Sequence, residues 1–489
     1  MATDPPTANA AQERVIRIYA GQLFDPESLQ LQPRQKITVS QDSGLILDVQ
    51  PYSATEENEV DFADTDTVVD QRDATVLPGF VDTHVHMFLH PYAETTWEDQ
   101  LTKESLVERT VRATVHAKRT LMAGFTTVRD LGTEGAEDAD IQLRKCMSGP
   151  DPLIPGPRYF CANRAIIASG SYGECSSTGL SPKSNLHLHQ QGVDSVTGAE
   201  FVDGEAECMK AVRKQVGAGA DWVKVLYTTL VPQTLIAIAD YRVRTRMSDV
   251  STNTAAATIQ TFTTDEVKVL VRTAHQLGVK VAAHANTWRA DLLPENGGVD
   301  TLEHGNDLGS DALLDAIQRS RVIWVPTLSV YYTTDVTKAP GGRWNRTAHN
   351  FQRALARGVT NIACGGDTGP FPHGDNALEM KLMVRLGADW RLVLRWATLG
   401  GWQCVRSMRW EGKEGAARLA WLGILQEAAA AVGDNEVPFG IVKKGFVADI
   451  IATRGDFRTD FENAVDKANI TFVMKGGRIY KLGGREWVQ

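Results

Sequence analysis

Two histidines at the end of an apolar segment are the first candidates for chemistry. The segment VLPGFVDTHVH ends in His84 and His86, and side chains two positions apart on a β-strand point to the same face. Both imidazoles can therefore reach one metal ion. A second pair with the same spacing, His187 and His189, lies in the loop-like segment NLHLHQQ. We predict that this second pair is exposed to solvent and binds no metal.

Four more residues that can bind metals or protons stand at the ends of other predicted strands. They are Lys224 in DWVKVLY, His284 in VAAHANT, His304 in DTLEHG and Asp367 in ACGGDTG. The intervals between them fit the lengths of βα units, which places the four residues on strands 4, 5, 6 and 8 of a parallel barrel, with His84 and His86 on strand 1. Because the C-terminal ends of the strands form the catalytic face of such a barrel, all six residues can converge there.

Lys224 is the least ordinary member of this set. It lies between Trp222 and Leu226 in a strand that is predicted to be buried, where an unpaired ammonium group is costly. Reaction of the neutral amine with carbon dioxide, which gives an anionic carbamate, is one way to remove that cost. Four imidazoles, a bridging anion and a carboxylate suit two cations such as Zn²⁺. For His284 or His304 taken singly, a hydrogen-bonded structural role is the alternative interpretation.

The segments that must position these residues alternate between apolar runs and amphipathic stretches. Residues 76–404 show the βα rhythm of a parallel barrel with eight predicted strands, so the predicted fold class is α/β, a (β/α)8 barrel. Residues 13–75 and 437–489 have the pattern of short strands separated by turns. These two sets can pair into one small composite β domain if the barrel between them closes on itself. Residues 1–12 are predicted to be a flexible tail and 405–436 a helical extension.

Helices are predicted between several of the strands. One of them begins near Thr264, which two acidic residues follow in a typical N-terminal pattern. Residues 410–432 are predicted to form a further helix, which serves packing, forms an oligomer surface or is simply an extra element. Insertions at 163–203 and 243–262 are expected to cover or shape a site, the alternative being surface loops without a function.

Composition excludes several classes of protein. The 489 residues are 43% hydrophobic and 23% charged, which excludes a disordered chain, and the net charge of -9 has the wrong sign for binding nucleic acid or an anionic membrane surface. Six scattered cysteines without a CxxC pair indicate reduced thiols, and neither a signal peptide nor an apolar membrane span is recognisable. We therefore expect a cytoplasmic protein that acts on a small molecule.

The sequence resembles the amidohydrolase superfamily of metal-dependent hydrolases, in the branch of imidazolonepropionase-like proteins, Xaa-Pro dipeptidase-like carboxypeptidases and the fungal ochratoxin-hydrolysing amidase. The resemblance covers nearly the whole chain and rests on PGFVDTHVH, GFTTVRD, GADWVKV, AAHAN, TLEHG, GGDT and KKGFVADIIAT. It implies two divalent metal ions, with Zn²⁺ as the expected metal and N6-carboxylated Lys224 as the bridging ligand. One ion would be bound by His84, His86 and Asp367, and the other by His284 and His304. A homo-oligomer is also expected from relatives.

A dinuclear centre of this kind implies hydrolysis of an amide bond. Two cations lower the pKa of a bridging water so that hydroxide exists at neutral pH, and one of them polarises the substrate carbonyl. Asp367 is the predicted catalytic residue, because it can take the proton of the attacking hydroxide and pass it to the leaving nitrogen. The expected substrates are N-acyl amino acids, dipeptides or ochratoxin-like aryl amides. The alternatives are hydrolysis of a cyclic imide, lactam or ester, a non-hydrolytic biosynthetic reaction, or a non-catalytic assembly protein.

The residues expected near the substrate depart from the pattern of this branch. Relatives commonly carry a Gly-Gly-His motif where this chain has SGSYG at 169–173, and Ala-Ser-Gly-Gly where it has Tyr227 followed by two threonines. Asn286 stands where relatives have a histidine. Tyr172 and Tyr227 either donate a hydrogen bond to the substrate carbonyl in place of that histidine or only pack the loops. The substrate class is therefore less determined than the metal site.

Three further residues lie beside the predicted strand ends. Arg129, in TTVRDLG, is predicted either to support the metal ligands or to pair with a carboxylate of the substrate. His90, four residues after His86, either lines the pocket or is an ordinary loop histidine. Glu303 is expected to point to the opposite face of its strand from His304, and we do not include it in the site.

Overall fold

The computed structural model describes residues 13–53, 67–168, 199–226, 262–287, 293–308, 310–425 and 432–487. The strands in chain order are β1 Val15–Asp25, β2 Gln30–Ser40, β3 Ile46–Pro51, β4 Thr67–Pro78, β5 Phe80–Val85, β6 Phe125–Asp130, β7 Arg158–Cys161, β8 Ala165–Ile167, β9 Ala199–Phe201, β10 Trp222–Leu226, β11 Lys280–Thr287, β12 Thr301–Asp307, β13 Ile323–Val325, β14 Ile450–Thr453, β15 Ile470–Lys475, β16 Arg478–Leu482 and β17 Arg485–Glu486.

The helices between and after these strands make the fold one of mixed α/β type. In chain order they are α1 Trp97–Thr102, α2 Leu106–Met122, α3 Ala139–Met147, α4 Gly204–Ala218, α5 Thr264–Gln276, α6 Asp311–Arg319, α7 Leu328–Thr334, α8 Arg343–Ala356, α9 Leu378–Arg385, α10 Trp390–Trp396, α11 Leu399–Val405, α12 Gly412–Ala420, α13 Leu422–Leu425 and α14 Phe461–Ala464. In the part of the chain that the structure describes, every helix is too short or too polar to cross a lipid bilayer.

Strands from the two ends of the chain form one sheet. Its order is β17-β16-β15-β14-β4-β1-β2-β3, so the four strands nearest the N-terminus lie beside the four nearest the C-terminus. The two sets meet where β4 pairs antiparallel with β14, with Pro78 opposite Ile450 and Thr75 opposite Thr453. The division of the chain into domains at the boundaries given above stays a prediction.

The strands that carry the candidate residues run parallel to one another. One sheet has the order β5-β6-β7 and another has the order β13-β12-β11-β10-β8-β9. Two isolated parallel bridges lie between these sheets, Ile362 with Trp324 of β13 and Thr368 with Val85 of β5. The eighth strand that NIACGGD predicts is therefore a pair of bridges and not a regular strand. Asp367, with φ of 57°, interrupts the extended backbone there.

Helix α5 shows how side-chain hydrogen bonds set a boundary. Thr263 caps the helix, because its hydroxyl accepts a hydrogen bond from the Glu266 backbone N–H at 3.2 Å while the Glu266 carboxylate accepts one from the Thr263 N–H at 2.8 Å. Thr264 is the first helical residue, in agreement with the start that the sequence pattern predicts. The reciprocal pair needs an acidic residue three positions after the cap, which selects Thr263.

The predicted helix at 410–432 is broken within the described residues. Helix α12 ends at Ala420, Trp421 lies outside the helices, and α13 follows it. At the start of α12 the chain passes so close to itself that a Cβ added to Gly415 would lie 2.2 Å from the carbonyl carbon of Trp410. The expectation of one continuous helix is therefore wrong for this stretch.

Candidate metal centre

The C-terminal ends of the parallel strands meet at one cavity. In that cavity, the Nε2 atoms of His84 and His86 lie 3.7 and 3.3 Å from Asp367 Oδ1. The ring centroids of His304 and His84 are 5.1 Å apart, and those of His304 and His284 are 4.2 Å apart. All six residues predicted to bind metal line the cavity, namely His84, His86, Lys224, His284, His304 and Asp367.

Three of these residues offer a compact set of ligand atoms. One atom each of His84, His304 and Asp367 lies within 4.8 Å of the other two, and all three residues are buried. Imidazole nitrogen and carboxylate oxygen are donors that Zn²⁺ prefers in proteins. The donor set therefore fits a divalent cation.

Two imidazoles are oriented by hydrogen bonds at Nδ1. His84 Nδ1 donates to Glu303 Oε2 at 2.8 Å, and His86 Nδ1 donates to the backbone carbonyl of Gly132 at 2.9 Å. A carboxylate and a carbonyl can only accept, so the Nδ1 atoms of both rings carry hydrogen. The Nε2 atoms of the two rings then face Asp367 and the cavity, as metal-binding histidines require.

The charges around Asp367 alter its pKa and those of its neighbours. Burial and, after it, the nearby Lys224 lower the pKa of His84 to about 4, although Asp367 and Glu303 act in the opposite direction. Burial also lowers the pKa of His86, but the hydrogen bond to Asp367 and the negative charges of Asp367, Glu134 and Asp130 together outweigh burial and raise this pKa to about 9. For Asp367 itself, burial raises the pKa, whereas the imidazoles of His84 and His86 bring it below its usual range. Asp367 is therefore ionised at neutral pH, as a metal ligand must be.

Lys224 is buried among these candidate ligands, and no hydrogen bond to a described residue satisfies its ammonium group. The residue is 2% exposed, and its Nζ has no hydrogen-bond partner in the described part of the protein. Burial lowers the pKa of Lys224 to about 8, against the attraction of Glu303 and Asp367. An amine with this pKa is partly neutral at physiological pH, which is the form that reacts with carbon dioxide. A buried polar atom with unmade hydrogen bonds is costly, and a carbamate that binds metal would remove this cost.

Glu303 faces the site, so the expectation that it points away is wrong. Its Oε2 binds His84 Nδ1, and its Oε1 accepts from Arg129 Nη2 at 2.8 Å. The alternation of side chains fails because His304 has φ of 74°, in the left-handed region that the alternating strand pattern does not include. Both Glu303 and His304 therefore reach the ring of His84. The sequence feature that could have indicated this role of Glu303 is its position directly before a candidate ligand, His304.

Arg129 and His90 do not line the cavity. Arg129 is fully buried, and its ion pair with Glu303 supports the His84 ligand from behind. The ring nitrogens of His90 lie 3.1 Å from Glu94 Oε2 and 2.8 Å from Glu104 Oε1. The predicted substrate contacts of both residues disagree with the structure, because both side chains are buried in contacts with other residues.

Some predicted residues lie outside the part that the structure describes. They are Tyr172, Tyr227, His187, His189, the segment 169–173, the side chain of Asn286, and most of the insertions at 163–203 and 243–262. Their proposed roles stay predictions.

The cavity also contains residues that the sequence patterns did not single out. Glu134 accepts a hydrogen bond from Trp97 Nε1 at 3.0 Å, and its backbone has φ of 49°. Tyr331 of α7 packs edge to face against His304, with ring centroids 6.0 Å apart. These side chains belong to loops and helices that follow the strands, where no alternating pattern marks them. The additional lining residues include Tyr92, Trp97, Glu134, Tyr331 and Arg343.

The buried carboxylate of Glu379 holds the backbone next to Thr327, a residue whose hydroxyl lies beside His304. Glu379 accepts hydrogen bonds from the backbone N–H groups of Leu328 and Ser329 at 2.9 and 2.7 Å. Thr327, the preceding residue, has φ of 51°, and its hydroxyl lies 2.8 Å from His304 Nδ1. The orientation of His304 therefore depends on Glu379 without a direct contact between them.

The family of the chain follows from comparison with known proteins. The profile of the amidohydrolase family matches residues 75–407, a range that contains all six predicted metal-binding residues. The chain belongs to the amidohydrolase family. It is a hydrolytic enzyme that acts on C–N bonds, and enzymes of this family are generally metal-dependent.

Individual relatives of this amidohydrolase belong to two of the branches predicted above. Ochratoxinase of Aspergillus niger is 24% identical over 378 residues, which are 74% of this chain and 67% of that protein. Its crystal structure matches 96% of each chain with a TM-score of 0.70 and 19% identity. The crystal structure of a Xaa-Pro dipeptidase with methionine bound in the active site matches 96% of this chain and 100% of that one, with a TM-score of 0.70 and 26% identity. The predicted resemblance is confirmed.

Replacing Glu303 with glutamine is expected to lower metal affinity about 10- to 100-fold, because His84 loses the carboxylate that orients its ring. The same change leaves the buried guanidinium of Arg129 without its counter-charge, so the free energy of unfolding should fall by about 3 kcal/mol or more. Metal titration and denaturant unfolding measure the two effects.

Glu411 provides the matched control for this variant. It forms an ion pair with Lys280 at 2.6 Å and does not line the cavity. Glu411→Gln should lower stability only and leave metal affinity unchanged. Equal metal affinity in Glu303→Gln and the wild-type enzyme would contradict the role given to Glu303.

Proposed function

We propose that this amidohydrolase cleaves an amide bond with the help of two divalent metal ions, with Zn²⁺ as the expected metal. The single observation that carries the proposal is the position of Lys224, whose buried Nζ lacks a hydrogen-bond partner in the described part of the chain and lies in the same cavity as the four histidines and Asp367. As a carbamate, Lys224 would bridge the two ions. His84, His86 and Asp367 would hold one ion, and His284 and His304 the other.

Cations bound in this cavity would supply Lewis acidity, which activates water and polarises a carbonyl group. The remaining steps belong to the protein. Asp367 Oδ1 accepts the proton of the attacking water and then donates it to the leaving nitrogen. The short distance from Oδ1 to His86 Nε2, 3.3 Å, keeps this carboxylate fixed while it does so. Leu131, Val330 and Tyr331 add apolar surface to the cavity wall.

We also propose that the parallel strands close into a (β/α)8 barrel and that the strands from both ends of the chain form a composite β domain. The barrel would comprise β5, β6, β7 with β8, β10 to β13 and the segment 361–368, which is bonded on one side to β13 and on the other to β5. The boundaries proposed for the barrel are 76–404, for the helical extension 405–436, and for the two parts of the β domain 13–75 and 437–489. A homo-oligomer stays part of the proposal.

The proposed substrates are N-acyl amino acids, dipeptides or aryl amides of the ochratoxin type. The similarity to an ochratoxinase and to a Xaa-Pro dipeptidase supports these classes. A cyclic imide, lactam or ester hydrolase is the second candidate, because the same six residues would activate water for those bonds as well.

Metal removal followed by a substrate screen tests the proposal. We expect about two metal ions per chain in carefully prepared protein, loss of hydrolysis on chelation and recovery with Zn²⁺. The screen compares acyl amino acids, Xaa-Pro dipeptides, hydantoins and lactones. Turnover of lactones or hydantoins alone would favour the second candidate. Less than about one metal ion per chain, with no hydrolysis of any of these substrates, would overturn the proposal.

A further inference from the structure

One cationic side chain in the wall of the cavity has no anionic partner among the residues that the structure describes. Arg343, the first residue of α8, lines the cavity. Within the described residues its guanidinium makes no ion pair and no hydrogen bond, and its contact is with the ring of Tyr331, whose centroid lies 6.0 Å from Arg343 Cζ. Among the lysines and arginines of the described lining, only Lys224 accompanies it, and Lys224 lies with the metal ligands.

Two other arginines at or near α8 form ion pairs with aspartates, whereas Arg343 forms none with a described residue. Arg353 Nη2 pairs with Asp311 at 2.7 Å, and Arg357 Nη2 pairs with Asp315 at 2.5 Å. These two stand at the C-terminal end of the helix, where the helix dipole favours a cation. Arg343 stands at the N-terminal end, where the dipole disfavours a cation, and the first turn contains no acidic residue. An anion beside Arg343 would be attracted by the guanidinium and by the helix dipole.

Tyr331 links Arg343 to the metal ligands. The Tyr331 ring centroid lies 6.0 Å from the His304 ring centroid and 6.0 Å from Arg343 Cζ. Arg343 Cζ is therefore at most twice 6.0 Å from the ring of His304. An extended peptide advances about 3.5 Å per residue. Contacts of roughly 3 Å or more at each end of the substrate, with the guanidinium and with the ligand rings, add to this length. One residue between the acid group and the scissile amide is therefore compatible with the upper limit on the separation.

We propose that Arg343 binds a carboxylate of the substrate, which makes N-acyl amino acids and dipeptides with a free C-terminus the preferred class over neutral amides. The inference deepens the proposed amide hydrolysis and rests on it. A guanidinium pairs with a carboxylate through two parallel hydrogen bonds, and the face of Tyr331 supports the guanidinium. The pair sets which end of the substrate enters first and places the amide carbon near His304 and Asp367.

The kinetic test compares an acid with its neutral analogue, N-acetyl-L-methionine with N-acetyl-L-methioninamide. The wild-type enzyme should prefer the acid about 10- to 100-fold in kcat/KM. Arg343→Gln should remove most of this preference, mainly through a higher KM for the acid. Arg343→Lys should restore part of it, because lysine keeps the charge but cannot pair through two hydrogen bonds. Arg346→Gln, a change one turn later in the same helix at a position outside the cavity, should keep the wild-type preference.

A binding experiment separates this inference from the proposed function. L-methionine and L-methioninamide are titrated calorimetrically into the metal-loaded wild-type enzyme and into Arg343→Gln. The wild-type enzyme should bind the acid about tenfold or more tightly than the amide, and the variant should bind both alike. Binding of this kind without hydrolysis of any amide would overturn the proposed function and leave this inference intact. Amide hydrolysis with no preference that depends on Arg343, in either experiment, would overturn this inference alone.

Discussion

Replacing Lys224 with alanine is expected to lower kcat by about three orders of magnitude or more and to reduce the bound metal to less than half of the wild-type content. The alanine removes the only side chain on β10 that can bridge two cations at this position of the cavity. Without the anion, the positive charges of two metal ions are too weakly compensated for both to stay bound. Elemental analysis and a hydrolysis assay measure the two quantities.

Two further observations make the Lys224 prediction specific. Apo-enzyme reloaded in bicarbonate buffer should recover more metal and activity than enzyme reloaded in buffer free of carbon dioxide, and Lys224→Ala should show no such difference. Lys280→Ala is the matched control, because Lys280 is a buried lysine of the neighbouring strand that pairs with Glu411 and does not line the cavity. It should lose stability and keep its metal. Wild-type metal content and rate in Lys224→Ala would rule out the bridging role.

Replacing Asp367 with asparagine is expected to lower kcat about 10²- to 10⁴-fold while some metal stays bound. Asparagine keeps the shape of the side chain and one oxygen donor, but it cannot accept the proton of the attacking water or donate one to the leaving nitrogen. The loss should be larger for an anilide than for a 4-nitrophenyl ester of the same acyl group, because nitrophenolate leaves without a proton. Rates on the two substrates and metal content per chain check this result.

Asp375→Asn is the matched control, because it removes a carboxylate from the segment that follows Asp367 and precedes α9. Asp375 pairs with Lys467 at the surface and does not line the cavity, so this variant should match the wild-type enzyme on both substrates. If Asp367→Asn lost equal activity on the anilide and the ester, Asp367 would act as a metal ligand only and not as a proton donor to nitrogen.

The sequence determined the six candidate ligands because local rules apply to them. An apolar run predicts a buried strand, alternation brings His84 and His86 to one face, and parallel strands of a barrel present their C-terminal ends together. These rules need no knowledge of distant contacts. The structure places all six residues around one cavity, and the mixed α/β content agrees with the predicted class.

Other features depended on contacts that no local rule describes. Glu303 turned toward His84 because the next residue has φ of 74°, and a pattern of residue types does not report a backbone angle. Arg129 proved to be a buried support because its partner, Glu303, is 174 residues away in the chain.

Arg343 begins a helix after the thirteenth strand, and no sequence motif marks it. Its position in the cavity wall follows from the tertiary structure only. The sequence by itself therefore predicted the six candidate ligands, because periodicity and residue type are local properties. The tertiary structure decided which residues hold the imidazole rings in place and which cationic side chain lines the cavity wall. Those depend on backbone angles at single residues and on contacts between segments that are distant in the chain.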